Sequence, residues 1–250
     1  RPSKIFKPNI MICVPCGATE VERRAVRNAA MHAGAKDAFL VEEPIAAAIG
    51  AGIDVSKPIG SMIVDIGGGT TDIAVISFNG IVVRTSIKVA GDVFDDAIIK
   101  YMRKKHNMLI GERTAEELKM EIGCVYPRPT DVTMDVRGRN LISGLPRTIT
   151  VASSEIHDAL QESVSGIIAG VHTALEQTPP ELSADINDRG ILMTGGGGLI
   201  YGMDKLIEQE TGIKAIIADE PISCVALGIG KILNTMSKEE KKAYNYDDEI

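Results

Sequence analysis

Apolar and polar positions along this chain switch repeatedly between a period of two and a period near 3.6, and the switches divide it into alternating strands and helices. Residues 9–15 (Asn-Ile-Met-Ile-Cys-Val-Pro) form a short apolar run that reads as a strand. Thr19-x-x-Glu22 has the spacing of a capping box, and the helix it opens stops at Gly34. A second strand is predicted at 38–41, followed by Glu42-Glu43-Pro44 and an alanine-rich helix ending at Gly50 or Gly52. Residues 60–77 read as two apolar strands joined by a tight turn, Gly67-Gly68-Gly69-Thr70, and a third strand follows at 81–89. Helices are predicted from Ala90-Gly91-Asp92 through Lys105, and from a second capping box, Thr114-x-x-Glu117, to about Gly123. Residues 124–150, rich in Pro, Arg, Asp and Gly between β-branched positions, suggest a small hairpin-rich unit. A long helix over 154–177 is stopped by Pro179-Pro180. Strands at 190–194 and 214–218 then alternate with helices at 203–210 and 222–234, and the tail from Lys238 is charged, poor in apolar residues and expected to fray.

This order is that of an α/β protein: a β-α-β-α half-domain, a join near residues 53–60, then a fuller α/β domain with a small inserted unit. The composition suits it. Of 250 residues 44% are hydrophobic and 24% charged, the balance of a globular protein with a full core. A net charge of −7 argues against a nucleic-acid partner held by phosphate neutralisation. No apolar run approaches the ~20 residues that span a bilayer, and no signal-peptide pattern is present, so the cytoplasm is the default location. The chain begins Arg-Pro-Ser, without methionine, which leads us to expect a missing start.

Cys13-Val-Pro-Cys16 has the spacing of redox and zinc sites, but Cys124 and Cys224 stand alone and complete no zinc set. Gly17 and the cap at Thr19 separate the pair from the helix that follows, so these read as structural cysteines. The four histidines are scattered without metal-ligand spacing.

The chemistry gathers at the glycines. Gly67, Gly68 and Gly69 leave main-chain amides clear of side chains, so a phosphate could approach them; Thr70 and Thr71 add hydroxyls, and Asp65 places a carboxylate suited to holding Mg²⁺ through water. The plainer reading is that these glycines only satisfy the φ demands of a turn. Gly195-Gly196-Gly197-Gly198 follows a strand and precedes a helix, a geometry that admits a planar group against bare backbone. Neither run matches a Walker loop, which needs Gly-Lys-Ser/Thr. Two turns of different geometry fit a nucleotide held at both ends.

With these segments in order, the chain resembles the actin-like ATPase superfamily: Glu43-Pro-x-Ala-Ala-Ala, Asp65-x-Gly-Gly-Gly-Thr-Thr, the Gly195 cluster and Glu220-Pro-x-x-Cys-Val-Ala-x-Gly-x-Gly230. Val41-Glu-Glu-Pro-x-Ala-Ala-Ala-Ile-Gly50, Lys88-Val-Ala-Gly-Asp92, Ile110-Gly-Glu-Arg-Thr-Ala-Glu116, Gly144-Leu-Pro-Arg-Thr148 and the segment 178–186 are similar to bacterial actins of the MreB and Mbl type. The resemblance implies a two-lobe, ribonuclease H-like ATPase fold whose first lobe is incomplete. Residues 1–56 would be the remainder of that lobe and 57–220 the second lobe, with an inserted subdomain at about 96–148. The segment 221–236 would return to the first lobe, ahead of the charged tail 237–250.

The resemblance also implies the site. Glu43 would orient the attacking water, assisted by Thr70. Gly67, Gly68, Gly69 and Thr70 would wrap the β- and γ-phosphates of ATP, with Asp65 near Mg²⁺. Glu116, Glu117, Leu118 and Lys119 would border ribose and adenine, and Gly196, Gly197, Gly198 and Leu199 would face the adenosine and α-phosphate. The alanine-rich 46–51 and Ala226, Gly228 and Gly230 would form crossing hinge helices. Ile5 and Phe6 would dip into the inner face of the cytoplasmic membrane. The implied function is a filament of the protein with itself, associated with the membrane and with the cell-elongation machinery, that directs cell-wall synthesis and maintains rod shape. A first phosphate loop, usual in this superfamily, would precede residue 1, so slow Mg-dependent ATPase activity is expected of the intact protein and little of this chain. A small-molecule kinase or chaperone-type ATPase of the same superfamily remains the alternative.

Overall fold

The computed structural model describes residues 7–235. In chain order the elements begin β1 (Asn9–Val14), α1 (Glu20–His32), β2 (Asp37–Glu42) and α2 (Glu43–Gly50). Next come β3 (Ser61–Ile66), β4 (Thr71–Ser77), β5 (Gly80–Ile87), α3 (Gly91–His106), β6 (Met108–Leu109) and α4 (Glu112–Ile122). The remainder is β7 (Thr133–Asn140), β8 (Pro146–Ala152), α5 (Ser153–Glu176), α6 (Pro180–Arg189), β9 (Ile191–Thr194), α7 (Met203–Thr211), β10 (Ala215–Ile217) and α8 (Cys224–Thr235). Among the described residues three sheets result: parallel β1-β2; a mixed sheet in the order β10-β9-β3-β4-β5; and antiparallel β6-β7-β8.

The mixed sheet is the centre of the molecule. Its strands β3 and β4 are almost wholly buried, which is why they read as continuous apolar runs. Met62, Val64, Ile66, Ile73 and Val75 join Val164, Ile167 and Val171 of α5 in the main core. From the opposite face Ile63, Ala74 and Ile76 pack against Ala47 and Ala48 of α2. Both sides of the hairpin are therefore covered, and its turn is held firmly at one end of the sheet.

The alanines of α2 serve a close crossing with α8. A Cβ on Gly50 would lie 1.8 Å from the Cys224 carbonyl oxygen, and one on Gly228 would lie 1.8 Å from that of Ala46. Each helix thus presents a glycine to the other's backbone. Lys231 Nζ donates to the Ile49 and Gly50 carbonyls, both at 3.0 Å, and so satisfies the end of α2.

The Thr19 capping box forms as its spacing predicts, with the Thr19 amide donating to Glu22 Oε2 at 2.8 Å. The Thr114 box does not. Helix α4 starts earlier, from Gly111, and Glu117 instead accepts from Arg113 Nε at 3.0 Å, an i,i+4 pair. Pro179-Pro180 ends α5 as expected, yet Pro180 also begins α6, a helix the stop signal concealed. Proline at the first helical position sacrifices no hydrogen bond and has a suitable φ. Strand β6, only two residues long, carries no periodicity to read.

Candidate functional site

Register brings the two glycine turns together. Strands β3 and β9 are parallel neighbours with Asp65 opposite Thr194, so both turns leave the same end of the sheet. Gly195 has φ +80°, and a Cβ there would come within 2.3 Å of the Ile66 carbonyl oxygen; one on Gly197 would meet Ile66 Cγ2 at 2.3 Å. The second turn, a single 3₁₀ turn over Gly196–Leu199, is thus seated directly on the end of the hairpin.

The first turn is glycine for another reason. None of Gly67, Gly68 and Gly69 has a positive φ, so backbone conformation does not demand glycine there. A Cβ on Gly68 or Gly69 would meet nothing closer than the Asp92 carboxylate, at 3.5 and 4.0 Å. What glycine supplies at these exposed positions is room for something outside the chain. Not every amide is open: Gly67 N–H donates to the Thr70 carbonyl at 3.0 Å. The turn's carbonyls are also engaged, since Gly91 N–H donates to Gly67 at 3.1 Å and Asp92 N–H to Gly68 at 2.8 Å, fastening the start of α3 to the hairpin.

Between these parts lies a cleft of about 670 Å³, within the size range of small-molecule sites. Of the residues expected from the sequence, Glu43, Asp65, Gly67, Gly68, Glu116, Lys119, Gly196, Gly197 and Leu199 line it. Gly69 and Thr70 sit on the turn beside the cleft and do not line it. The helical period separates the α4 residues: Glu116 and Lys119 face the cleft, Leu118 is fully buried in the core, and Glu117 turns to Arg113. Gly198 is buried near Met193. Ile5 and Phe6 lie outside the described residues, as does the charged tail.

The sequence reading missed part of the wall. Gly91, Asp92 and Asp95 at the start of α3 face the cleft, as do Met120, Ile222 and Val225. Ala90-Gly91-Asp92 opening a helix was the available signal, because an anion site at a helix start needs small residues before it. Leu199, Met120 and Ile222 are 51%, 66% and 70% exposed and surround the mouth, an apolar platform on which a flat ring could rest.

The electrostatics are one-sided. Burial first, then the carboxylates of Asp72 and Asp65, push Glu43 up to about 7. Burial, and then Asp72, also raise Asp65; the nearby Thr194 hydroxyl pulls the other way without forming a hydrogen bond of good geometry. Among the described residues no lysine or arginine pairs with Glu43 or Asp65. Lys119, the one cation on the wall among the described residues, is already held by Asp95 Oδ2 at 2.8 Å and the Gly91 carbonyl at 3.1 Å. Asp95 Oδ1 is buried without a hydrogen-bond partner. Such a cleft favours a ligand that arrives with a cation. No group of three or more ligating side chains converges among the described residues, so a metal there would be held chiefly by ligand oxygens and water, as Mg²⁺ commonly is. Burial followed by the nearby carboxylates also lifts Cys13 and Cys16 to about 12, which keeps both as neutral thiols.

Comparison with known proteins adds the following. Residues 1–241 match the family described as MreB/Mbl protein. The cell shape-determining protein MreB of Escherichia coli (strain K12) is 54% identical over 233 residues, 93% of this chain and 66% of that protein. The cell shape-determining protein Mbl of Bacillus subtilis (strain 168) is 50% identical over 236 residues, 94% and 71% of the respective chains. This chain therefore spans about two thirds of the length of the curated relatives it matches. The crystal structure of MreB5 of Spiroplasma citri bound to ADP superposes with a TM-score of 0.89 at 41% identity, covering 96% of this chain and 72% of that one. A MamK double helical filament structure, 21% identical with a TM-score of 0.80 over 94% of this chain and 71% of its own, shares the fold.

Proposed function

The chain belongs to the MreB/Mbl family, and from that premise we propose that it carries the nucleotide site of a bacterial actin. The protein binds ATP with Mg²⁺, assembles into filaments with its own copies at the inner face of the cytoplasmic membrane, and works with the cell-elongation machinery to direct wall synthesis and keep rod shape. One observation carries this reading most directly. Gly68 and Gly69 are glycine without any demand from φ or from internal packing, at the edge of a cleft where, among the described residues, Glu43 and Asp65 pair with no lysine or arginine. The relatives' names are those of cell-shape proteins, and they lend nothing to the kinase or chaperone alternatives.

The described residues up to 56, with helix α8, belong to one lobe, and 57–220 to the other, with the subdomain at about 96–148 inserted in it. The crossing of α2 and α8 is the hinge between them. Asp65 is the residue that would hold Mg²⁺ through water, and the metal would supply charge neutralisation at the phosphoryl oxygens. Gly67 to Thr70 form the turn around the β- and γ-phosphates, with Gly67 and Gly68, which line the cleft, nearest the ligand. Glu116 and Lys119 border the ribose, and Leu199 with the 3₁₀ turn lies against the adenosine. Glu43 accepts a hydrogen bond from the attacking water and fixes it in line with the γ-phosphate, so that rate comes from positioning rather than from covalent chemistry.

Sedimentation tests the assembly: ATP and Mg²⁺ should bring the protein into the pellet, and anionic liposomes should carry it with them. Unchanged solubility under both conditions would refute the filament reading. Replacing Ile5 and Phe6 by serine should abolish liposome recruitment while sparing polymerisation, and retained recruitment would remove their membrane role.

A further inference from the structure

Helix α2 starts at Glu43, and the residue before it does something unusual. Glu42 occupies the N-cap position, but it is not among the short side chains (Ser, Thr, Asp, Asn) that cap best, and it makes no capping bond. Its carboxylate is spent elsewhere. Oε1 accepts from Arg23 Nη2 of α1 and from Arg84 Nη1 of β5, the latter at 2.9 Å. One oxygen thus joins the β1-β2 side of the molecule to the outer strand of the mixed sheet. The node is sheltered at Glu42, 14% exposed, and open at Arg84, 53% exposed.

Neighbouring contacts fix the same junction. Arg23 Nε reaches back to the Ala18 carbonyl at 3.3 Å. The Cys16 amide donates to buried Asp72 Oδ1 at 2.9 Å, tying the loop after β1 to β4. Gly17 rests on β5, where a Cβ would lie 3.1 Å from that of Ser86. Glu43 follows the node by one peptide unit and lines the cleft. Any shift of β5 relative to β2 must lengthen the Arg84–Glu42 bond or drag the first turn of α2 with it.

We infer that Glu42 and Arg84 are a positioning pair for Glu43: by clamping the start of α2 to β5, they hold the Glu43 carboxylate at the place where it meets the attacking water. The inference rests on the ATP-hydrolysing role proposed for Glu43. The pair touches no substrate; it converts the relation between the two lobes into the position of one carboxylate. A displacement of about 1 Å at a reacting group can cost on the order of a hundredfold in rate, so a modest release of the clamp is enough to matter.

Steady-state hydrolysis of Mg-ATP by the intact protein tests this. Arg84→Met keeps the packing stem and removes the charge at an exposed edge, where folding tolerates it. It should lower kcat at least about tenfold with KM changed less than about twofold. Arg84→Lys should restore part of the loss, and Glu42→Gln should show a smaller loss of the same kind. In a Glu43→Ala background, Arg84→Met should have no further effect. An unchanged kcat for Arg84→Met, or an equal loss with and without Glu43, overturns the pair while leaving the catalytic reading of Glu43 in place. Wild-type hydrolysis by Glu43→Ala alone overturns that reading, and the pair with it.

Discussion

A single side chain, Glu43, carries the sharpest consequences at the residue scale. An ordinary glutamate titrates near 4.3, whereas burial and then Asp72 and Asp65 lift this one to about 7. Between those values the folded protein holds a proton that the unfolded chain has released. The Glu43 contribution to stability is therefore fully present below about pH 4.3 and is lost as pH rises through 7. Urea midpoints measured without nucleotide should show it as a difference: relative to the parent, Glu43→Gln should gain stability as pH rises from 5 to 8. A constant difference across that range would mean the carboxyl is not raised. For catalysis, Glu43→Ala should slow phosphate release far more than it weakens ATP binding; equal losses would reduce Glu43 to a support of the fold. The position of Glu43 was legible from Glu-Glu-Pro before an alanine helix. Its environment was not, because Asp72 and Asp65 approach it only when α2 packs across β3 and β4, a tertiary contact that no local pattern encodes.

Elements were read best where a chemical signal marked both ends. Helix α1 declares itself through Thr19, Glu22 and Gly34, and β3-β4 through a glycine turn between apolar runs. Where one signal had two meanings, the reading failed: Pro180 stops one helix and starts the next, and Thr114-x-x-Glu117 imitates a cap inside α4. The contact between α2 and α8 could be anticipated from small residues, but not which glycine matters. Structure separates them. Gly228 has Ala46 backbone where its Cβ would be, whereas nothing lies within 4 Å of the corresponding point on Gly230. Gly228→Ala should therefore cost about 1–3 kcal/mol or more through overpacking. Gly230→Ala, in the interior of α8, should stabilise by about 0.4–1 kcal/mol through the unfolded chain. Chemical denaturation of the two variants decides it, and similar changes in both would deny the close crossing.

For the whole molecule the question is whether the hairpin turn is glycine-rich for folding or for a ligand. Sequence alone left both readings open, since a glycine run suits either. The backbone decides the folding half: Gly68 has ordinary φ, and a methyl group there would make only van der Waals contact, 3.5 Å from Asp92 Oδ1. Gly68→Ala should then leave unliganded stability within about 0.5 kcal/mol of the parent. The same methyl group would project where the phosphates are proposed to lie, so binding should suffer although folding does not. Ligand linkage makes the two effects visible in one measurement. Saturation at a hundred times Kd adds about 2.7 kcal/mol to a folded protein, and Mg-ATP should raise the parent's unfolding midpoint accordingly. In Gly68→Ala the starting midpoint should coincide with the parent's while the ATP-dependent rise shrinks or vanishes. A full rise in the variant would place the triphosphate away from the turn, and a lowered starting midpoint would return the glycine to the service of the fold.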